Sequence, residues 1–190
     1  MIIETVITSL DENRNIHFAA LGVEFFKQKI VFYPYQGSKT LENIINSKEG
    51  VVNIVDKAEY LIKAALGDYQ FSVNKIKDDN QYYLEDSCHY YKFKLISVSE
   101  IDDKYKVSGK IVFNQSNREY LGFNRANNLL LEAAVKASRI GIKNTAKEVD
   151  AFLANNRRVI LKTGDENAEY LFNFLKKYIN DLGGNQIDRN

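Results

Sequence analysis

"YQGSKTLENIINSKEGVVNIVD", residues 35 to 56, sets a polar cluster, Gly37-Ser38-Lys39-Thr40, directly before a short amphipathic run. Leu41, Ile44 and Ile45 have helical spacing, which predicts a helix starting near Ser38 to Thr40. The first turn of a helix has unpaired N–H groups and a partial positive charge. Ser38 and Thr40 add hydroxyl donors, Lys39 adds a cation, and Gly37 lets the backbone approach closely. Together these suit a phosphate. The same residues also suit a plain N-cap, and the glycines of a P-loop are missing. Gly50 to Asp56, nearly all apolar, then reads as a strand buried on both faces.

Upstream of this stretch the chain reads as strands. Ile2 to Ser9 is rich in β-branched residues and ends in the turn-forming "LDENRN". Ile16 to Phe25 and Lys29 to Tyr35 follow as a hairpin, with Pro34 near its end, where a lost ladder donor matters least. Downstream, Lys57 to Gly67 has helical spacing, while 68 to 86 is polar and predicts no regular structure. Tyr91, Phe93 and Leu95 alternate on one strand, and Tyr105, Val107, Gly109, Ile111 and Phe113 on the next, with "SEIDDK" as a long turn. After about Ser116 the period changes to that of helices. One helix is capped by Asn124 and stopped by Gly141, a second runs from about Thr145 to Asn156, and a third carries Ala168, Leu171, Phe172, Leu175 and Ile179. Strands first and helices afterwards predict an α+β chain, a barrel or sandwich with a helical subdomain.

Composition narrows the function classes. The net charge of +1 gives no overall field for nucleic acid or an anionic membrane. No apolar run approaches the roughly 18 residues of a membrane span, and "MIIETVITSLDENRN", with no basic start and no long apolar stretch, is not expected to act as a signal peptide. The lone cysteine, Cys88, excludes an internal disulfide and fits a reducing compartment, so a cytoplasmic location is expected. Cys88 and His89 are adjacent on a strand and point to opposite faces, which argues against a shared metal ion. Cys88 is expected to be a buried small side chain, and His17 a candidate proton relay. Asp78-Asp79 and Asp102-Asp103 read as solvated loop charges, and Arg157-Arg158 and Lys176-Lys177 as exposed helix positions. Tyr82-Tyr83 and Tyr90-Tyr91 read as barrel core or dimer surface.

"SKTLENIINSKEGVVNIV" resembles the flavin reductase type of FMN-binding split barrel, where a similar S/K-x-T cluster precedes "NI", a glycine and "VVN". "HFAALGVEF" resembles the strand beside the flavin ring in those proteins, and "NRANNLLLEAAVKASRI" and "LKTGDENAEYLFNFL" resemble the helical segments of an uncharacterised, mainly archaeal family of them. The resemblance implies a six-stranded antiparallel FMN-binding split β-barrel over residues 1–120 and a C-terminal α-helical subdomain over 121–190. It also implies FMN as cofactor and a homodimer with FMN near the subunit interface. Ser38, Lys39 and Thr40 would then hold the phosphate, with Gly37 in the same loop and Asn43 supporting it or reaching the ribityl chain. Ala19, Ala20, Leu21 and Gly22 would pass beside the ring, and Val52 and Asn53 would flank it. Ala20 stands where relatives often have proline, which restores a backbone donor. Three functions fit: an FMN-dependent oxidoreductase drawing on NAD(P)H or another donor, a flavin carrier or sensor, and a structural module without ligand.

Overall fold

The computed structural model describes residues 1–67 and 69–187, with side chains as far as residue 182. It divides into two compact units, one of residues 1–56 with 68–120, the other of 57–67 with the chain after 120.

The first unit is a closed barrel of six antiparallel strands. These are β1 (Ile2–Leu10), β2 (Ile16–Phe26), β3 (Lys29–Phe32), β4 (Glu49–Ile54), β7 (His89–Ile101) and β8 (Lys104–Ser116). Their order around the barrel is β1-β2-β3-β8-β7-β4. Between β3 and β4 lies helix α1 (Lys39–Ser47), which lays Leu41 and Ile44 into the barrel core. That core consists of Ile7, Val23, Ile30, Phe32, Val52, Phe93 and Val107 from the strands. Phe93 needs room that only glycine leaves. A Cβ on Gly109 would come within 2.6 Å of its ring, and one on Gly50 within 2.9 Å.

Several boundaries differ from the sequence expectation. β3 stops at Phe32, because Pro34 lacks a ladder donor and only an isolated bridge continues, at Tyr35. The expected long "SEIDDK" turn is two residues, Asp102 and Asp103, because Ile101 and Lys104 pair directly. The polar stretch from Ser72 to Asp86 holds two short strands, β5 (Val73–Lys75) and β6 (Tyr82–Leu84); Asp68 lies outside the described residues. This hairpin is stapled to the barrel by polar bonds. Thr8 Oγ1 donates to the Tyr82 carbonyl at 2.7 Å, and the Leu84 amide donates to Asn53 Oδ1 at 2.9 Å. Tyr83 stacks on Tyr90 with centroids 4.0 Å apart.

The second unit is helical: α2 (Ala58–Leu66), α3 (Arg125–Ala137), α4 (Ala146–Thr163) and α5 (Ala168–Ile187). Ala126, Ala133, Ala134 and Ala137 of α3 let neighbouring helices approach, and Leu130, Leu153, Ile160, Leu171 and Leu175 fill the space between them. Ala58 and Ile62 of α2 join this core, so the range 1–120 contains one helix that packs with the helical unit. Asn124 caps α3 as expected, but the helix ends before Ser138, and Gly141 lies in the following turn at φ 84°. α4 starts from Thr145, which forms a reciprocal capping box with Glu148. It runs beyond Asn156 because Ile160, two turns after Leu153, is again buried.

Candidate functional site

The loop entering α1 is fixed by its own bonds. Ser38 N–H donates to the Tyr35 carbonyl at 3.2 Å, closing a turn with Gly37 at its third position and φ 71°. That left-handed backbone favours a glycine, while nothing lies within 4 Å of an added Cβ. Close approach to a neighbouring atom is not its reason. The same loop is pinned to the tip of the β7–β8 hairpin by Gln36 N–H to the Asp103 carbonyl and Tyr105 N–H to the Pro34 carbonyl.

Ser38 is the N-cap of α1, accepting from the Leu41 amide at 3.4 Å. Accepting that bond uses a lone pair and leaves the hydroxyl proton available to another acceptor. Lys39 and Thr40 occupy the first two helical positions, where amides have no acceptor within the helix. Lys39 is 57% exposed and makes only a 3.9 Å approach to Asp11. Thr40 is 3% exposed, and its Oγ1 lies 3.1 Å from Nε2 of His17. One turn further on, the buried Asn43 donates from Nδ2 to Ser9 Oγ at 3.1 Å. Ser9 and His17 face each other across the β1–β2 ladder. Four side chains thus tie the start of α1 to β1 and β2.

β2 has an open side. It pairs with β1 from Ile16 to Glu24 but with β3 only from Val23 to Phe26. Over residues 16–22 its other edge has no strand partner among the described residues. Ala19, Ala20, Leu21 and Gly22, all half-buried, therefore lie along an edge without a strand partner among the described residues, and His17 lies on the same stretch. The Leu21 carbonyl accepts from Thr5 Oγ1 at 2.9 Å.

Val52 and Asn53 sit elsewhere. Val52 is fully buried among the barrel's apolar side chains. Asn53 is fully buried too, donating to the Val6 carbonyl at 2.9 Å while accepting from Leu84. Its amide is occupied in joining β1, β4 and β6. The expected set thus separates into a helix-start group (Gly37 to Thr40 with Asn43), an open strand edge (Ala19 to Gly22) and two wall residues.

Other singled-out groups are structural. Burial and the nearby Asp56 carboxylate push the Cys88 thiol up to about 11, so it stays protonated at neutral pH. Beside it, Arg118 bonds Asp56 at 2.9 Å and Asp86 at 2.7 Å. His89 lies 3.2 Å from Asn114 Oδ1 and against Tyr91. Asp79 is not a solvated loop charge; it pairs with Lys92, which also bonds Glu49 at 3.0 Å. Among the described residues no cluster of three His, Cys, Asp or Glu could hold a metal, and no helix is long and apolar enough to cross a membrane.

Against family models, residues 3–118 match "Protein of unknown function (DUF447) N-terminal domain" and residues 124–177 match "Protein of unknown function (DUF447)". The chain belongs to the DUF447 family. It is 29% identical over 203 residues to the uncharacterised protein MJ1453 of Methanocaldococcus jannaschii, covering 98% of this chain and 92% of that protein. Among solved structures, the FMN-bound DUF447 protein MM1853 of Methanosarcina mazei superposes with a TM-score of 0.78 at 17% identity, over 93% of this chain and 94% of that one. The flavoredoxin of Methanosarcina acetivorans gives 0.54 at 16% identity, over 64% and 72%. The styrene monooxygenase flavin reductase of Pseudomonas putida gives 0.53 at 8% identity, over 60% and 81%. The expected family, six-stranded antiparallel split barrel and α+β class are therefore borne out.

Proposed function

We propose that this protein binds FMN and is an oxidoreductase of flavin reductase type, working as a homodimer with FMN near the subunit interface. The observation that carries the reading is the hydrogen bond joining the first turn of α1 to the open edge of β2, at His17 and Thr40. It puts anion donors and a backbone edge without a strand partner among the described residues on one connected set of residues. A phosphate dianion only accepts hydrogen bonds, and the helix start supplies donors: the Lys39 and Thr40 amides, the Ser38 hydroxyl and the Lys39 ammonium. A phosphate competes easily for Lys39, whose approach to Asp11 is long and exposed. The Ala19 to Gly22 edge supplies amides and carbonyls to orient a flat heterocycle without bulky side chains. FMN, when bound, supplies hydride and single-electron exchange. Relatives add weight, since the Methanosarcina mazei family member is FMN-bound.

Titration calorimetry with FMN and riboflavin tests the site. Two to three charge-assisted bonds at about 1.5 kcal/mol or more each, less the cost of ordering Lys39, make FMN tighter by about a hundredfold or more. Equal affinities would remove the phosphate from α1. Anaerobic bleaching of the FMN-loaded protein by NADH or NADPH tests turnover, and a flavin that neither nucleotide bleaches would leave a carrier instead.

The dimer has its own support. The β7–β8 ladder is interrupted twice, and the extra residues are Ile96 and Val112, both exposed. Phe113 and Ile101 on the same two strands are exposed as well. Branched apolar side chains turned outward at bulges are costly in water and suit a covered face. Light scattering across a dilution series should give a dimer whose dissociation shifts to lower concentration with FMN, because a ligand touching both subunits must tighten their association. A monomer that binds FMN at full strength would place the flavin in one chain alone.

A further inference from the structure

We infer that His17 is a positioning residue that sets the direction of the Thr40 hydroxyl and so decides whether Thr40 donates to a ligand phosphate. This deepens the FMN reading and rests on it. The hydroxyl has one proton and two lone pairs. With His17 Nε2 and Thr40 Oγ1 3.1 Å apart, one of the two atoms donates to the other. If Nε2 is bare, the Thr40 proton goes to the ring, and Thr40 presents only lone pairs. Those repel a phosphate oxygen. If Nε2 carries its hydrogen, the ring donates to Oγ1 and the threonine proton turns to the ligand. A neutral ring protonated on Nε2 does this with no change of net charge, so a bound phosphate selects that tautomer.

The surroundings hold the pair in register. His17 faces Ser9 across the ladder, and Ser9 accepts from Asn43, one helical turn beyond Thr40. Asn43 is 3% exposed, so water does not readily replace the Asn43–Ser9 bond that braces the pair. A purely structural tie would hold α1 in place regardless of which atom donates. The positioning role differs because it requires one donor direction and acts only on ligands that carry a phosphate.

Two measurements test it. In wild-type protein, nitrogen NMR of the imidazole should report Nε2 protonated in the FMN complex; a bare Nε2 there would overturn the inference without any variant. In calorimetry, Thr40→Val should weaken FMN by about tenfold or more, the scale of one charge-assisted bond. His17→Phe should weaken it by about threefold to tenfold and weaken riboflavin by less. His17→Gln, whose amide can donate from nearly the same place, should restore most of the loss. The double variant His17→Phe with Thr40→Val should bind FMN no worse than Thr40→Val alone. If Thr40→Val weakens FMN and His17→Phe does not, the positioning role falls while the phosphate site stands. Should Thr40→Val leave FMN unaffected, with FMN no tighter than riboflavin, both fall together.

Discussion

Phe93→Ala should lower unfolding stability by about 3–5 kcal/mol, the largest loss expected of any single side chain in the barrel. Phe93 is fully buried and meets Phe32 edge-on, with ring centroids 5.7 Å apart. Its ring lies over Gly50 of β4 and Gly109 of β8, strands on either side of its own. Truncation leaves a void bordered on two sides by residues without side chains, so neither Gly50 nor Gly109 can help to fill it. Urea unfolding followed by circular dichroism measures the change. A loss below about 1.5 kcal/mol would mean that the barrel collapses around the gap. The reverse change, Gly109→Ala, should cost about 1–3 kcal/mol, because its Cβ must displace a ring with little room to move.

Lys92→Met should cost about 2–3 kcal/mol at neutral pH. Methionine keeps the apolar stem and removes the ammonium that stands between Asp79 and Glu49. Its side chain is 8% exposed, against 22% for Glu49 and 23% for Asp79, so water screens the two abandoned carboxylates only in part. Removing one partner of a buried pair is worth about 3–5 kcal/mol, and the residual exposure lowers that figure. The pH dependence has a definite sign. Burial is the largest single influence and opposes charge on both groups, but the partners together outweigh it: the Lys92 ammonium with the Gln81 and Asn80 amides holds the Asp79 carboxyl below its ordinary value, and the Asp79 and Glu49 carboxylates hold the Lys92 ammonium above its own. The wild-type pair therefore stabilises above the ordinary aspartate range and below the ordinary lysine range. It is lost as pH falls through the lowered Asp79 value or rises through the raised Lys92 value. Without the cation, the Asp79 carboxyl loses the partner that holds it down, and the variant gains relative to wild type as pH falls. Stability curves that stay parallel into acid would exclude the network.

The sequence carried the elements that bury one regular face. β1 and β2 were legible as β-branched and apolar runs bounded by turn residues, the helices because apolar residues recur at three-to-four-residue spacing, and α1 because Leu41 and Ile44 both point into the barrel. β5 and β6 were not, being three residues each and held by Thr8 and Asn53, which lie on other strands. Nothing local to Val73–Lys75 or Tyr82–Leu84 specifies pairing. α4 was cut short at Asn156 since the exposed Arg157 and Arg158 resemble an ending, while the buried Ile160 beyond them continues the stripe. At the candidate site, the Ser38 cap and the helix start were legible from a local pattern. The bond from Thr40 to His17 spans 23 positions and no local pattern encodes it. The bonds of Asn53 were hidden for a similar reason, because an asparagine inside a strand gives no sign that its amide fastens neighbours.

The position of α2 in the chain has a consequence for how the protein is made. The helix emerges from the ribosome after β4, yet its buried partners Ala126 and Leu130 come some sixty residues later, in α3. The barrel waits as well, since β1 to β4 cannot close until β7 and β8 arrive. During synthesis the Ala58 and Ile62 face is therefore exposed until the helical unit has been translated, and stopping the chain at residue 120 would leave that face bare. The two units are distinct in space, but α2 makes them interleaved in translation, so neither is a segment that can be cut out cleanly.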